Sequence, residues 1–171
     1  AYPRCLGDHL DRWAERTPDR PFLADRRGDA PWRVVSYGEA RARVLQLAAG
    51  LLRCGLGPER PVLILSDNGV EHALLMFAAM HVGIPVASVS AAYSLLSADH
   101  AKLRAIVRLV EPGLVFADDE AAYARALAAV QDGSPALQVV ATPQSGSARQ
   151  PLDALGSDDL DAVAAANAAI G

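Results

Sequence analysis

Histidine side chains are the first candidates in this 171-residue chain for metal binding or acid–base chemistry. A zinc site needs several ligands that converge on one ion, which on a helix requires spacings of three or four residues. None of the histidines forms a convincing cluster with other ligand-type residues, and each falls on a predicted helix: they are His9, His72, His81 and His100. We therefore predict surface or partly buried helix histidines and no metal site.

A second candidate is Ser145-Gly146-Ser147, whose composition is that of a phosphate-binding loop. A working loop exposes backbone amides, supplies a cation and leads into the N-terminus of a helix. Here the sequence continues into Arg149-Gln150-Pro151, and the lone lysine of the chain, Lys102, falls within a predicted helix. We interpret the segment as a linker. No Gly-x-Gly-x-x-Gly follows a predicted strand either, so the usual dinucleotide fingerprint is missing.

The paired carboxylates Asp118-Asp119 and Asp158-Asp159 fall at predicted helix starts, where the helix dipole favours negative charge. We interpret them as caps, with acid–base catalysis as the weaker alternative. No serine or cysteine stands at a sequence spacing from a histidine that would indicate a nucleophile and its base. The motifs alone therefore predict no catalytic residue.

The composition excludes several classes of protein. Hydrophobic residues make up 51% and charged residues 21%, enough to bury a sizeable core. The net charge of −4 without a basic block argues against nucleic acid or an anionic membrane as the main partner. Two cysteines, Cys5 and Cys54, are too few for a disulfide scaffold. With no export signal visible in the sequence, a reducing cytoplasm is the predicted location.

Residues 73–98 carry no Asp, Glu, Lys or Arg, which is long enough to suggest a membrane span. Gly83 and Pro85 interrupt this run, however, and several serines dilute its second half. A buried helix followed by a buried strand is therefore the preferred interpretation.

The elements that would position a site begin with a helix over residues 5–16 and two short strands, Pro21–Ala24 and Trp32–Val35, predicted to form a hairpin. Ser36 and Glu39 then form a capping box, which predicts the start of a helix that ends near Gly55.

Strands and helices alternate over the rest of the chain. The predicted strands are Val62–Leu65, Ile84–Ala87, Leu114–Phe116 and Leu137–Val140. The predicted helices run from Asn68 to about His81, from Ser97 to Val110 and from Asp118 to about Val130. This alternation with short links predicts an α/β fold, a parallel sheet with helices on both faces. Residues 1–141 would form this lobe, and residues 142–171 a linker and an Ala-rich tail.

Residues Ser88 to Ser94 form a small, uncharged segment directly after a predicted strand. Open α/β sheets bind ligands at the carboxyl ends of their strands, and small residues let a ligand approach the backbone closely. The alternative is a tight connecting loop without a binding role.

In this order, the motifs resemble the opening part of an adenylate-forming acyl-CoA synthetase, a member of the AMP-binding enzyme superfamily. The resemblance spans about residues 5 to 141 and is carried by Val35–Ala40, Leu51–Leu65, Asn68–Glu71 and Met80–Ala87. The segments Val89–Leu95 and Lys102–Arg104 are most similar to the feruloyl-CoA synthase group. Ala40 and Ser88 depart from the family pattern, which typically has Leu and Pro there.

The resemblance implies part of the large N-terminal domain of a ligase that activates a carboxylic acid with ATP and passes the acyl group to CoA. ATP, Mg²⁺ and CoA would serve the full-length enzyme. The family's ATP phosphate loop and the catalytic lysine of its C-terminal domain are expected beyond Gly171. The chain alone is therefore expected to be inactive and to depend on the rest of the enzyme, with an aromatic acid such as ferulate as substrate.

The resemblance also implies cofactor-binding residues near the docking place of the CoA nucleotide. By position these are Ser90, Ala91, Ala92, Tyr93 and Arg125. Tyr93 would stack on a base and Arg125 would pair with a phosphate. The alternative is a core tyrosine and a solvated helix charge. A competing interpretation of the whole chain is a stand-alone α/β binding or regulatory module that binds CoA or a nucleotide.

Overall fold

The computed structural model describes residues 3–132, 137–142 and 149–170. The predicted linker at Ser145-Gly146-Ser147 lies outside these residues. The chain divides into two compact units. Unit 1 comprises Ala1–Cys54, Asn68–Gly83 and Gly156–Gly171, and unit 2 comprises Gly55–Asp67 and Ile84–Leu155.

The elements follow one another in the predicted alternation. In chain order they are α1 (Leu6–Arg16), β1 (Pro21–Asp25), β2 (Arg33–Ser36), α2 (Tyr37–Arg53), β3 (Val62–Leu65), α3 (Val70–His81), β4 (Val86–Val89), α4 (Ala91–Leu95), α5 (Ala101–Val110), β5 (Leu114–Ala117), α6 (Ala124–Asp132), β6 (Gln138–Ala141), α7 (Leu152–Leu155) and α8 (Leu160–Ala168). No helix among the described residues combines the length and the apolar content that a membrane span requires.

Unit 1 contains the predicted hairpin and the predicted capping box. Strands β1 and β2 pair antiparallel. The Ser36 hydroxyl accepts a hydrogen bond from the Glu39 amide at 3.2 Å, and the Glu39 carboxylate accepts one from the Ser36 amide at 2.8 Å. Both contacts of the box are thus made, which stabilises the first turn of α2.

The predicted start of α3 at Asn68 is wrong. The helix begins at Val70, and its N-cap Gly69 supplies no side chain to the first turn. The carboxylate of Asp25, at the end of β1, accepts a hydrogen bond from the Val70 amide at 3.0 Å. The cap therefore comes from a residue distant in sequence, which a local pattern does not indicate.

Unit 2 contains the predicted parallel sheet, with strand order β4-β3-β5-β6 and parallel pairing throughout. Every residue of β3 and β5 is buried, so both central strands are covered on both faces. On one face, Leu63 and Val115 belong to a cluster with Leu103 of α5 and Leu127 of α6. The predicted fold class is confirmed.

Several element starts in unit 2 differ from the sequence predictions. Strand β4 begins at Val86 and not at Ile84, because Pro85 has no amide to donate to the ladder. Residues 91–95 form the short helix α4, which the sequence analysis did not predict. Helix α6 begins at Ala124 and not at Asp118. Asp119 instead accepts hydrogen bonds from the amides of Ala121 and Ala122, in the turn that precedes the helix.

The stretch interpreted as linker and tail contains two helices among its described residues. Both ends of α7, Leu152 and Leu155, are buried. Helix α8 is capped by Asp159, whose carboxylate accepts a hydrogen bond from the Ala162 amide at 3.2 Å. This confirms the predicted capping role of one of the paired carboxylates. The division of the chain at residue 142 stays a prediction.

Candidate functional site

A cavity of about 660 Å³ opens on the surface of unit 2, beside helices α5 and α6. The chain segment that enters α5 supplies part of its wall, and three small residues of the lining keep it wide. It is lined by Ala98, Asp99, His100, Arg104, Arg125, Ala128, Ala129 and Asp132. This volume is in the range of small-molecule sites in proteins.

Two arginines from different helices meet at this cavity. Arg125 of α6 donates from Nη2 to the carbonyl oxygen of Ala98 at 3.2 Å. Arg104 of α5 donates from Nη1 to the carbonyl oxygen of the next residue, Asp99. A guanidinium has five N–H donors, so each arginine is held by one contact and keeps further donors for an anion.

His100 is an unusual element of the lining. It is only 4% exposed, and its Nε2 has no hydrogen-bond partner among the described residues. Its backbone adopts a left-handed conformation with φ 54°, and its amide donates to Ser97 Oγ at 3.0 Å. A buried polar atom without a partner is uncommon in folded proteins and calls for an explanation.

Two carboxylates also line the cavity. Asp99 accepts hydrogen bonds from the Ala101 amide and from Ser97 Oγ at 3.1 and 3.3 Å. The bond from the Ala101 amide, followed by the bond from Ser97, holds the pKa of Asp99 below its usual value. Asp132, at the end of α6, is exposed. Together with the arginines they form a cavity with two cations and two anions, suited to a ligand that carries both an anionic group and hydrogen-bond donors.

Of the predicted cofactor-binding residues, Arg125 lies in this cavity, whereas its described lining does not include Ser90, Ala91, Ala92 or Tyr93. Ser90 and Ala92 are exposed at the start of α4, and Ala91 is half-buried. Tyr93 is half-buried as well and packs against the core cluster of unit 2. The ammonium of Lys102 lies 5.1 Å from the centroid of its ring.

Sequence reasoning missed His100 and Arg104 as site residues. It placed His100 inside a helix, whereas this residue precedes the first turn of α5. It did not single out Arg104 as a site residue, whereas this side chain is half-buried and lines the cavity. The sequence carried no local signal for this pair, because His100 lies outside the helix in a left-handed conformation.

Tyr123 lies near the ends of two neighbouring strands, β3 and β5. Burial first, and then the carboxylates of Asp118, Asp67 and Asp119, raise the pKa of Tyr123 to about 12. The phenol is therefore protonated at neutral pH and does not serve as a base there.

In the part of the chain that the structure describes, no three His, Cys, Asp or Glu side chains are grouped to hold a metal ion.

The family of this protein is shown by a match to a known protein family. Residues 10–168 match the family model described as AMP-binding enzyme. The chain belongs to the AMP-binding enzyme family. This confirms the superfamily resemblance of the sequence motifs, and it makes adenylate-forming ligases the relevant relatives.

A curated relative is several times longer than this chain. It is 37% identical over 112 residues to the salicyl-AMP ligase / salicyl-S-ArCP synthetase of Mycobacterium tuberculosis (strain ATCC 25618 / H37Rv), and this match covers 56% of the chain and 20% of the relative. The chain thus spans about a fifth of that curated relative.

Solved structures of AMP-binding enzymes share the fold. A protein assigned as a long-chain-fatty-acid CoA ligase from Rhodopseudomonas palustris CGA009 superposes with a TM-score of 0.75 and 27% identity, covering 91% of this chain and 37% of that one. A benzoate CoA ligase from Burkholderia xenovorans LB400 superposes with a TM-score of 0.71 over 88% of this chain and 28% of that one. At 17% identity the second likeness concerns the fold alone. The fold matches the N-terminal domain of acyl-CoA ligase structures.

Proposed function

We propose that this chain is part of an ATP-dependent acid–CoA ligase. In the first step, a carboxylate attacks the α-phosphorus of ATP, which forms an acyl adenylate and releases pyrophosphate. In the second step, the CoA thiol attacks the acyl carbon, which forms the thioester and releases AMP. The supporting observation is the family match over residues 10–168, together with the 27% identical CoA ligase structure that covers 91% of the chain.

The proposed substrate is an aromatic acid such as ferulate. Its support is the similarity of residues 89–95 and 102–104 to the feruloyl-CoA synthase group and the name of the 37% identical relative, a salicyl-AMP ligase. ATP and Mg²⁺ would bind to parts of the full-length enzyme outside this 171-residue chain and would serve the adenylation step there. The proposed location of the enzyme is the cytoplasm. The chain alone would be inactive, because the family resemblance assigns the phosphate loop and the catalytic lysine to the rest of the enzyme.

The proposed contribution of this chain is to bind the nucleotide part of CoA. The small side chains of Ser90, Ala91 and Ala92 let a ligand approach the backbone, and Ser90 and Ala92 are exposed. Arg125 lies in the cavity of unit 2 with guanidinium donors available for a phosphate.

Tyr93 would stack on the base in place of its present contact with Lys102. The Lys102 ammonium lies 5.1 Å from the centroid of the Tyr93 ring. An exposed cation–π contact contributes about 0.5–1 kcal/mol, whereas stacking of a base on an aromatic side chain contributes about 1–3 kcal/mol. The exchange is therefore favourable, and it frees the lysine to approach a phosphate of the same ligand.

The ligase proposal is tested on the natural polypeptide, captured from the source organism with an antibody against this chain. We expect a protein several times heavier than 18.0 kDa that catalyses acid-dependent exchange of pyrophosphate into ATP, with ferulate more active than salicylate, benzoate or a long-chain fatty acid. The 171-residue chain assayed alongside should give none. A natural polypeptide of 18.0 kDa without exchange would refute the ligase, and a best rate with the fatty acid would refute the aromatic substrate.

CoA binding is tested by calorimetric titration of the 171-residue chain. Tyr93→Leu and Arg125→Gln should each weaken binding about tenfold, the size expected for one stacking or charge-assisted contact. Arg108→Gln is the matched control, since Arg108 is an exposed arginine of α5 outside the described cavity lining. Equal effects of all three substitutions would contradict the assignment of Tyr93 and Arg125.

A further inference from the structure

We propose that unit 1 contains a binding site for a small aromatic carboxylate, in a cavity of about 180 Å³ among α1, β1, α2 and α3. Helix α1 contributes Leu6, His9, Leu10 and Trp13 to the lining, and the other three elements contribute Phe22, Tyr37 and Phe77. All of these residues belong to unit 1. The inference goes beyond the proposed function and does not depend on it, since the CoA-binding residues were proposed in unit 2.

The size of the cavity fits one aromatic ring. An engineered apolar cavity of about 150 Å³ in another protein binds benzene. The present volume of about 180 Å³ is slightly larger, which leaves space for a short substituent on the ring. It lies below the range of about 300–1,000 Å³ that larger organic ligands occupy, so a long acyl chain or a nucleotide does not fit.

The walls of the cavity favour an aromatic ring over a saturated one. The Phe22 ring stacks on the Tyr37 ring at a centroid distance of 4.5 Å, and the Phe77 ring meets Phe22 edge-on at 5.6 Å. The Trp13 ring lies 6.1 Å from that of Tyr37. Aromatic pairs attract each other at these distances, so a further ring in the cavity gains contacts of the same kind.

Two apolar side chains of the lining keep much of their surface in water. Leu6 is 48% exposed and Trp13 is 38% exposed, although both lie on the face of α1 that buries Leu10. A ring seated against them would remove part of this surface from water, which favours binding.

Charge complementarity identifies the substituent of the ring as an anion. Arg12 Nη2 lies 3.3 Å from Nδ1 of the lining residue His9. A guanidinium group can only donate, so Nδ1 accepts and the imidazole proton resides on Nε2, which is then a donor as well. The described lining includes no carboxylate. A ligand carboxylate would thus find donors from Arg12 and His9 beside the cavity, whereas an ammonium group would meet a cation.

The test is an NMR titration of the nitrogen-15-labelled 171-residue chain, in which the indole N–H signals of Trp13 and Trp32 are followed. Trp32 is exposed and lies outside the described lining, so its signal is an internal control. The probes are benzoate, cyclohexanecarboxylate, benzyl alcohol and benzylammonium at one pH and one salt concentration.

We expect benzoate to shift the Trp13 signal in a saturable manner with a Kd of about 1 mM, an affinity in keeping with its few atoms. It should bind about two- to tenfold more tightly than cyclohexanecarboxylate, because only benzoate adds aromatic pairs. It should bind about two- to fivefold more tightly than benzyl alcohol, because only benzoate pairs with Arg12, and benzylammonium should bind most weakly. Saturating benzoate should also raise the Tm, since it binds the folded state only.

Variants assign each preference to a side chain. Phe77→Leu should remove most of the preference for benzoate over cyclohexanecarboxylate, because it replaces a wall ring by an aliphatic group. Arg12→Gln should remove the preference for benzoate over benzyl alcohol. Arg108→Gln is the matched control for the second substitution, since Arg108 is an exposed arginine of unit 2. Thermal unfolding checks that each variant is folded, and the exposed position of Arg12 makes its variant informative even if Phe77→Leu does not fold.

Four outcomes would overturn the inference. They are equal shifts of the Trp13 and Trp32 signals, equal binding of benzoate and cyclohexanecarboxylate, tighter binding of benzylammonium than of benzoate, and no saturation up to about 20 mM benzoate. Tighter benzylammonium binding would identify an aromatic cage for cations instead. None of these outcomes bears on the proposed ligase or on CoA binding.

Discussion

Gly7 lies directly against the imidazole of His81: a Cβ at position 7 would come within 2.2 Å of Nδ1. Both residues are buried in unit 1, where α1 packs against α3. Because His81 is only 4% exposed, its ring has little room to move away. The missing side chain at position 7 therefore sets how closely the two helices approach.

Gly7→Ala should destabilise the chain by up to about 2 kcal/mol in urea unfolding. Alanine is favoured over glycine within a helix by roughly 1 kcal/mol, but overpacking of a filled core costs about 1–3 kcal/mol, and the second effect prevails. Gly57→Ala is the control, since no atom lies within 4 Å of the added methyl group. A more stable Gly7→Ala chain would show that the ring does yield.

His81 should make the free energy of unfolding dependent on pH. Burial is the main effect and lowers the pKa of His81 from 6.5; Asp11 and Asp8 act to raise it, whereas Arg41 and Arg4 act to lower it. His81 is therefore protonated less readily in the folded state than in the unfolded state. Stability from this group is fully present above pH 6.5 and falls as the pH drops below that value.

Urea unfolding of the wild type and His81→Leu between about pH 7.5 and pH 5 measures this dependence. The wild type should lose up to roughly 1 kcal/mol more per pH unit than the variant over the lower part of this range. His9→Gln, a substitution at an exposed histidine of α1, should follow the wild type. Parallel curves for wild type and His81→Leu would rule out this assignment.

Asp25→Ala should destabilise unit 1 through the loss of a distant helix cap. Burial opposes ionisation, but the hydrogen bond from the Val70 amide and the contacts with Arg33 hold the pKa of Asp25 below its usual value. Loss of a capping carboxylate costs about 1 kcal/mol. The arginine retains its ion pair with Glu71 at 2.6 Å, so the cap dominates the change.

Chemical denaturation and backbone amide exchange of Val70 would report the loss of this cap. The stabilisation by Asp25 is present above the unfolded-state pKa of 3.8 and is lost as the pH falls below it, so the difference between wild type and variant should vanish in acid. Asp29→Ala, in the exposed turn between β1 and β2, should be nearly neutral. Faster exchange in both variants would argue against a cap.

Two leucines of α5 provide a matched test of the core in unit 2. Leu103 is fully buried against the sheet, whereas Leu109 is 85% exposed. Leu103→Ala should lower the free energy of unfolding by about 2–5 kcal/mol, since it leaves a cavity in the core. Leu109→Ala should change it by less than about 0.5 kcal/mol. Similar losses for the two variants would mean that α5 faces the sheet differently.

The local and periodic features of the molecule could be predicted from the sequence alone. Ser36 and Glu39 are three residues apart, so their capping box forms wherever the helix forms. The unbroken apolar run Val62–Leu65 has no polar face to expose, which makes it a strand covered on both sides. Such signals, in their order along the chain, were sufficient to predict the parallel sheet and the superfamily.

Contacts between residues far apart in sequence became visible only in the folded structure. Asp25 caps a helix that begins 45 residues later, and Arg104 and Arg125 converge on neighbouring carbonyl oxygens from two separate helices. His100 becomes a cavity residue because Ser97 and a left-handed backbone hold it ahead of α5. These placements depend on how helices pack on the sheet, and sequence periodicity specifies the buried face of each helix but not its neighbour.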